Sequence, residues 1–500
     1  MKKFAKKRTL SLISGILVLI MISAVCLSCK KTPDEDGANQ SESSDIEESV
    51  STVDTDENGF LKDNIGDDIK YGGREIQIIG WSGGGEIDFD TSNETAISKA
   101  VYARNKTVES RLEVKLAFDT SLNGGNANRY EYISSVETML MGGDGHDLIA
   151  TYSMNAASFA IDGYLLNLAS EPQIEFEGSP WWSQDIVENC LINDKIYFAS
   201  GPISPKAIYE TFVMLVNLDM IDEYSLDDPR EMVKDYEWTM DKMYEMVLGV
   251  GQDITGDGKD ETDTHGLVIV EQPADGFLAS NGIRYLDVAV NQTTGKETIK
   301  ISSDFDNGLK TINLVQKLQE KLNTPDVWTT KSAKSFVKGN ALFMTAAFDT
   351  IRTNKDNIKF NYGYLPYPMA DTDQHAYYST AGFPYSMWCI PKATDDSDCA
   401  AYVMECLASE SYRQLQPVIY QDIKFRQSND AINAEMYDMI VDSMIFDYGR
   451  LFHNNFEYAN SPVWLFRSTM TKGKNFTTNI EGSRDHINGM LASINSALFS

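Results

Sequence analysis

From Tyr71 to the C-terminus, short apolar runs alternate with segments whose apolar residues recur every three or four positions. The first run, "REIQIIGW", is short and rich in isoleucine, and predicts a β-strand that empties into the glycine-rich turn "SGGGEIDFD". A helix is expected from about Asn93, because Ile97, Ala100, Val101, Val108 and Leu112 keep helical spacing, with Glu94 in its first turn. "LEVKLAF" predicts a second strand, "YEYISSVETMLMGG" an amphipathic helix stopped by glycines, and "HDLIATYS" a third strand. This β-α-β-α-β rhythm predicts a sheet with helices packed on it. Two further β-type runs, "KIYFASG" and "TFVMLVN", follow.

A second region opens at "EWTMDKMYEMVLGVGQ", a predicted helix with Thr239 as N-cap and Met243, Met246, Val247 and Val250 on one face. Strands are expected at "GLVIV", "FVKGNALFMTAAFD", "NYGYLPYP" and "SMWCIPK", and a helix at "SDFDNGLKTINLVQKLQEKL". Helices dominate from Asp396 onward. About 430 residues exceed one ordinary core, so two lobes are expected.

Upstream of Tyr71 the pattern changes twice. Lys2, Lys3, Lys6, Lys7 and Arg8 precede the uncharged stretch "TLSLISGILVLIMISAV", which ends at "CLSCKK". Residues 1–28 read as a secretory signal, and Ser28–Cys29 as a lipoprotein cleavage site whose new N-terminal residue, Cys29, is lipidated. Cys26 is the alternative, and an unprocessed membrane anchor is the plainer reading. Residues 29–70 carry many acids and polar residues with a single aromatic, Phe60, and are expected to be a disordered acidic tether.

Charge excludes some partners. The formal net charge of −31 becomes −36 once residues 1–28 are removed. Such a surface disfavours nucleic acid and electrostatic attachment to anionic lipid. Cys190, Cys389, Cys399 and Cys406 lie among apolar neighbours without zinc spacing, and are expected as buried thiols.

The ordered set "YARNKTVESRLEVKL", "GDGHDLIATY", "GNALFMTAAFD", "YGYLPYP", "MWCIPKATDDSDCAAYVMECLASESY" and "MIVDSMIFDYG", together with the lipoprotein signal, resembles the extracellular solute-binding proteins of ABC importers, particularly the carbohydrate-binding kind. The resemblance implies an α/β fold of the periplasmic-binding-protein type II class, with two lobes joined by hinge crossings and a ligand cleft between them. It implies one lobe from residues 71–205 and 380–415 and a second from 206–379 and 416–500. Crossings are implied near 200–215, 376–390 and 410–420. The expected protein is a monomeric, non-enzymatic receptor, lipid-anchored outside a bacterial cell membrane, that delivers a sugar to permease subunits. A peptide or other polar solute receptor is the alternative within the fold, and a surface glycoside hydrolase the alternative outside it.

Two local motifs bear on chemistry. "DITGDGKDETDTHG" opens like a calcium loop, with Asp253, Thr255, Asp257, Lys259, Glu261 and Asp263 as candidate ligands. Its twelfth position is Thr264 rather than a bidentate Glu, and a strand follows it, so a weak structural Ca2+ site is expected rather than a sensor; an ion-free Asp/Gly turn is the alternative. No catalytic cofactor is expected. "GWSGG" matches a serine-hydrolase elbow, but no helix follows directly and no histidine sits in a triad context. A sugar cleft instead needs aromatic faces beside carboxylates and amides. Candidates at predicted strand ends or crossings are Trp81, Ser82, Tyr152, Trp182, Tyr209, Glu210, Asp349, Tyr378, Tyr385 and Trp388.

Overall fold

The computed structural model describes residues 54–500, apart from 83–85, 88–94, 144 and 427–429. The signal segment, Cys26 and Cys29, and the first part of the expected tether lie outside the described residues. The rest of that tether does not behave as one. Thr55 and Leu61 form a β-bridge, Ile65 is buried, and the Asp63 carboxylate receives Arg111, Arg413 and Ser409. Burial alone would raise the pKa of Asp63, but the Arg111 guanidinium and its companions hold it well below the usual carboxylate range. The folded unit therefore begins at Asp54 rather than Tyr71. One isoleucine and one triply bonded acid anchor a segment whose composition alone gives it little reason to fold.

Two sheets organise the chain. The first runs β11-β3-β1-β2, from β1 (Arg74–Ile79), β2 (Val114–Asp119), β3 (Leu148–Tyr152) and β11 (Ser386–Cys389). β1 is parallel to β2 and β3, and β11 is antiparallel to β3. Crossover helices Ala96–Leu112 and Arg129–Gly142 connect the parallel strands. The former is capped by Thr95, whose side chain accepts from the Ser98 amide. The second sheet runs β10-β4-β9-β5-β8, from β4 (Phe212–Asn217), β5 (His265–Val270), β8 (Val327–Thr330), β9 (Ala341–Ala347) and β10 (Tyr362–Leu365). β4 and β9 are buried along their whole length, as their continuous apolar runs require. "KIYFASG" forms only isolated bridges, at Lys195 and Ala199.

Main-chain segments join the two sheets around residues 204–212 and 380–386, held together by an antiparallel bridge between Thr211 and Ala381. A third passage leaves the helix Ser397–Glu410 through the π-helical turn Ser411–Leu415. The buried Arg104 donates to the Ile203 carbonyl and the Ser411 hydroxyl, tying the first and third passages to one helix.

A two-stranded ribbon, β6 (Leu286–Val290) with β7 (Glu297–Ile301), was not visible in the hydrophobic pattern, because its exposed face breaks the apolar run. The long C-terminal helix Phe476–Leu498 packs along it. The four described cysteines are buried free thiols.

Candidate functional site

Open α/β sheets gather ligands at the carboxyl ends of their strands. In the first lobe, those ends present Trp81 and Ser82 after β1, and Tyr152 at the end of β3. In the second, β9 ends at Ala347 and delivers Asp349 in the first turn of the helix Phe348–Asn354. The passage between them contributes Lys206, Tyr209 and Glu210 from the short helix Pro205–Tyr209 and its cap.

Glu210 lies between the lobes: its carboxyl senses Glu86 of the first lobe and Asp349 of the second, with Lys206 and Arg352 close by. Burial, reinforced by the charge of Asp349, pushes its pKa up to about 8. Near neutral pH it therefore keeps its proton and can both donate and accept a hydrogen bond. No hydrogen bond from the described residues reaches its side chain. Asp349 accepts from Arg352 Nε at 2.6 Å, the Arg352 guanidinium lies 5.3 Å from the Tyr209 ring centre, and the Tyr209 hydroxyl donates to Asp422 at 2.8 Å.

Glu86, which sequence reasoning missed, is the structural key of the first lobe's rim. It is fully buried, and its carboxylate accepts from Ser204 Oγ (2.8 Å), the Lys206 amide (2.9 Å) and the Ser386 amide (2.7 Å). It thereby fixes two passages against the loop after β1. Its place directly after the glycines of "GGGEID" was the only signal for it.

Trp81 departs from expectation. Its indole is 4% exposed, donates to Ser386 Oγ at 3.0 Å and meets Tyr152 edge-on at 5.1 Å. A β-carbon on Gly124 would lie 2.7 Å from the Trp81 β-carbon, so glycine is required there. The ring is packed into the lobe behind the rim instead of standing free on a loop. Tyr152 is buried beside it, and the Ser82 amide donates to the Leu122 carbonyl.

Four other candidates lie elsewhere. Trp182 is core: it and Trp181 each donate an indole N–H to Glu405, at 2.8 and 2.7 Å. Trp388 is fully buried within β11. Tyr385 lines a cavity of about 280 Å³ enclosed by the passages, together with Phe383, Asp185 and Arg450. Tyr378 lies over Gly282 and lines a hollow that adjoins this cavity through Asp442, Met444 and Ile445. The aromatic type marked these positions, but the side of the strand or passage each ring takes depends on the tertiary fold.

The calcium-like loop is organised by its own backbone. Asp253 accepts from the Gly256 and Gly258 amides, and the buried Asp263 from the Ile254 and Asp260 amides. The Lys259 ammonium is drawn away to the Thr324 and Val327 carbonyls, and Glu261 pairs with Lys338 and Lys334. The side chains of Lys259 and Glu261 are thus engaged elsewhere, and among the described residues no cluster of three or more metal-ligating side chains forms. Thr255 and Asp257 hydrogen-bond each other on the exposed tip.

No family model matches the chain, and no curated protein does. Solved structures do. The GacH receptor of Streptomyces glaucescens, described with acarbose, is 14% identical, with a TM-score of 0.53 over 84% of this chain and 99% of that one. The maltose-binding MalE of Listeria monocytogenes is likewise 14% identical, at TM-score 0.53 over 84% and 98%. The cyclic α-maltosyl-1,6-maltose binding protein of Arthrobacter globiformis is 12% identical, at TM-score 0.57 over 84% and 99%. The fold is therefore that of the two-lobed, type II periplasmic-binding-protein class.

Proposed function

We propose that this chain is an extracytoplasmic, non-enzymatic receptor that captures a carbohydrate between its lobes and passes it to the permease of an ABC importer. The observation that carries this reading is Glu210: a carboxyl on an inter-lobe passage, electrostatically linked to both lobes, protonated near neutral pH and open to a hydrogen-bonding partner. A neutral polyol suits such a group, since it offers donors and acceptors without charge. Lys206 and Arg352 supply donors and Asp349 an acceptor around it. Solved structures of like fold bind acarbose, maltose and a cyclic maltosyl sugar, which supports the ligand class.

In this reading, ligand contacts made to both lobes at once favour the closed form, and the permease selects that form. Cys29 is the lipidated residue, and two acyl chains there give stable attachment where one is marginal. The loop at 253–263 takes calcium weakly, through Asp253, Thr255 and Asp257.

Calorimetry against a panel of neutral oligosaccharides tests the proposal. One member should bind without turnover, and Glu210→Ala should weaken it by roughly tenfold to a hundredfold, as loss of a strong hydrogen bond implies, while Glu210→Gln, which also donates and accepts without charge, should keep most of the affinity. Hydrolysis of any panel member, or unchanged affinity in Glu210→Ala, would overturn it.

A further inference from the structure

A helix in the second lobe ends in a way its sequence does not favour. After Pro229–Lys234, the Tyr236 amide donates to the Val233 carbonyl and the Glu237 amide to the Met232 carbonyl. This is the hydrogen-bond pattern of a Schellman cap, whose left-handed position normally holds glycine. Here that position is Tyr236, at φ +57°. A bulky side chain in this backbone region is uncommon, and such strain persists where something else requires the residue. The other described non-glycine residues at positive φ are Glu, Asn, Asp or Ser; Tyr236 is the aromatic one.

The strain places a ring at the surface. Tyr236 is 44% exposed, and its inner face is stacked on the buried Tyr377 at 5.6 Å with 15° between planes. The pair forms one wall of an open hollow of about 440 Å³, which Tyr378, Met439, Asp442 and Ser443 complete. Asp442 is solvent-exposed and joins no ion pair among the described residues. The hollow contains neither Glu210 nor Asp349, and it adjoins the cavity at the passages, with which it shares Asp442, Met444 and Ile445.

We infer that this hollow is a second saccharide site, in which a sugar ring lays its C–H face on Tyr236 and Tyr378 and hydrogen-bonds Asp442 through its hydroxyls. A flat aromatic surface, a thioether wall and one free acceptor are the elements such a ring uses. The site would be weak alone, and would add a second point of hold on an oligosaccharide or on glycan at the cell surface. Its own contacts do not require Glu210 or Asp349.

The test incorporates 3-fluorotyrosine into the full protein, assigns Tyr236 by its loss in Tyr236→Phe, and titrates maltopentaose while fluorine resonances are observed. The Tyr236 signal should shift with a millimolar midpoint, and should do so in a Glu210→Ala background as well. Tyr236→Gly, followed through the Tyr378 fluorine signal assigned in the same way by Tyr378→Phe, should weaken this step by about tenfold or more while raising the melting temperature, because glycine relieves the left-handed strain. A signal that maltopentaose leaves unmoved overturns the inference. So does one moved by tetramethylammonium and not by the sugar, which would make the hollow a cation site. A fall in melting temperature in Tyr236→Gly with unchanged sugar response would show that the ring serves packing alone.

Discussion

Asn193 and Glu297, the latter on the ribbon β6–β7, clasp each other through three hydrogen bonds. The Asn193 amide donates to Glu297 Oε2 (3.0 Å), Asn193 Nδ2 to the Glu297 carbonyl (2.9 Å), and the Glu297 amide to Asn193 Oδ1 (2.8 Å). The C-terminal residues join this clasp: Asn193 Nδ2 also reaches the Phe499 carbonyl, Lys195 Nζ the Ser500 carbonyl and the Tyr197 hydroxyl the Leu498 carbonyl. Asn193 and Asp194, both at positive φ, form the tight turn that presents these groups. The clasp thus ties the turn at Asn193 to the ribbon and to the C-terminal residues.

Asn193→Gly keeps the turn's backbone freedom and removes the clasping side chain. It should cost about 1–2 kcal/mol of stability and speed amide hydrogen exchange in the ribbon and the last C-terminal residues. Asn193→Ala should cost more, by about 1 kcal/mol, because alanine resists the left-handed conformation. Equal exchange and equal melts for all three proteins would show that the clasp restrains neither segment.

Trp81 should behave as a core residue. Its ring fills space between Tyr152 and Gly124 and its N–H is satisfied by Ser386. Trp81→Ala should therefore destabilise the ligand-free protein by about 3–5 kcal/mol. Denaturant melts measure this directly, and a loss below about 1 kcal/mol would return the indole to the exposed rim that the sequence suggested.

A buried acid gives stability a pH slope. Glu405 accepts two indole N–H groups, and burial pushes its pKa from the usual 4.5 up to about 8. Between these values the folded chain holds a proton that the unfolded chain has released. The contribution of this group is complete below about 4.5 and is lost as pH rises through about 8. Glu405→Gln should flatten that part of the profile, although one indole loses its acceptor and the variant is less stable throughout. Parallel melting curves for the two proteins across this range would refute the assignment.

The strands that build both sheets were legible because each is a continuous or alternating apolar run with turn residues at its ends. The ribbon β6–β7 was not, since "LDVAV" and "ETIKI" turn only one face inward and read as polar loop. At the site, Glu210 and Asp349 were legible as acids at a passage and a strand end. Arg352 was available as a partner three residues beyond Asp349 on the same helix turn, and Lys206 four before Glu210, but charge alone gave no reason to choose them. Trp182 and Trp388 misled because indoles serve core and cleft equally well. What separates them is a distant acceptor, Glu405 in one case, that only the tertiary fold brings near.

Calcium provides the last test, because the loop's geometry limits what it can do. Asp253 spends its carboxylate on two backbone amides, Asp263 spends its own on two more, and Glu261 is paired with lysines. An ion would have to compete with those bonds, relying on Asp257, Thr255 and the outer lone pairs of Asp253. Affinity should therefore lie at the weak end for extracellular calcium modules, on the order of 10⁻⁴–10⁻³ M. Millimolar calcium should raise the melting temperature slightly and leave sugar affinity unchanged, because the loop is joined to the second lobe's edge strand β8 through Lys259 and not to any passage. Asp257→Ala should abolish the calcium shift. If that variant keeps the full shift, calcium binds elsewhere, and if no shift occurs in the parent protein, the loop is an ion-free turn held by its own amides.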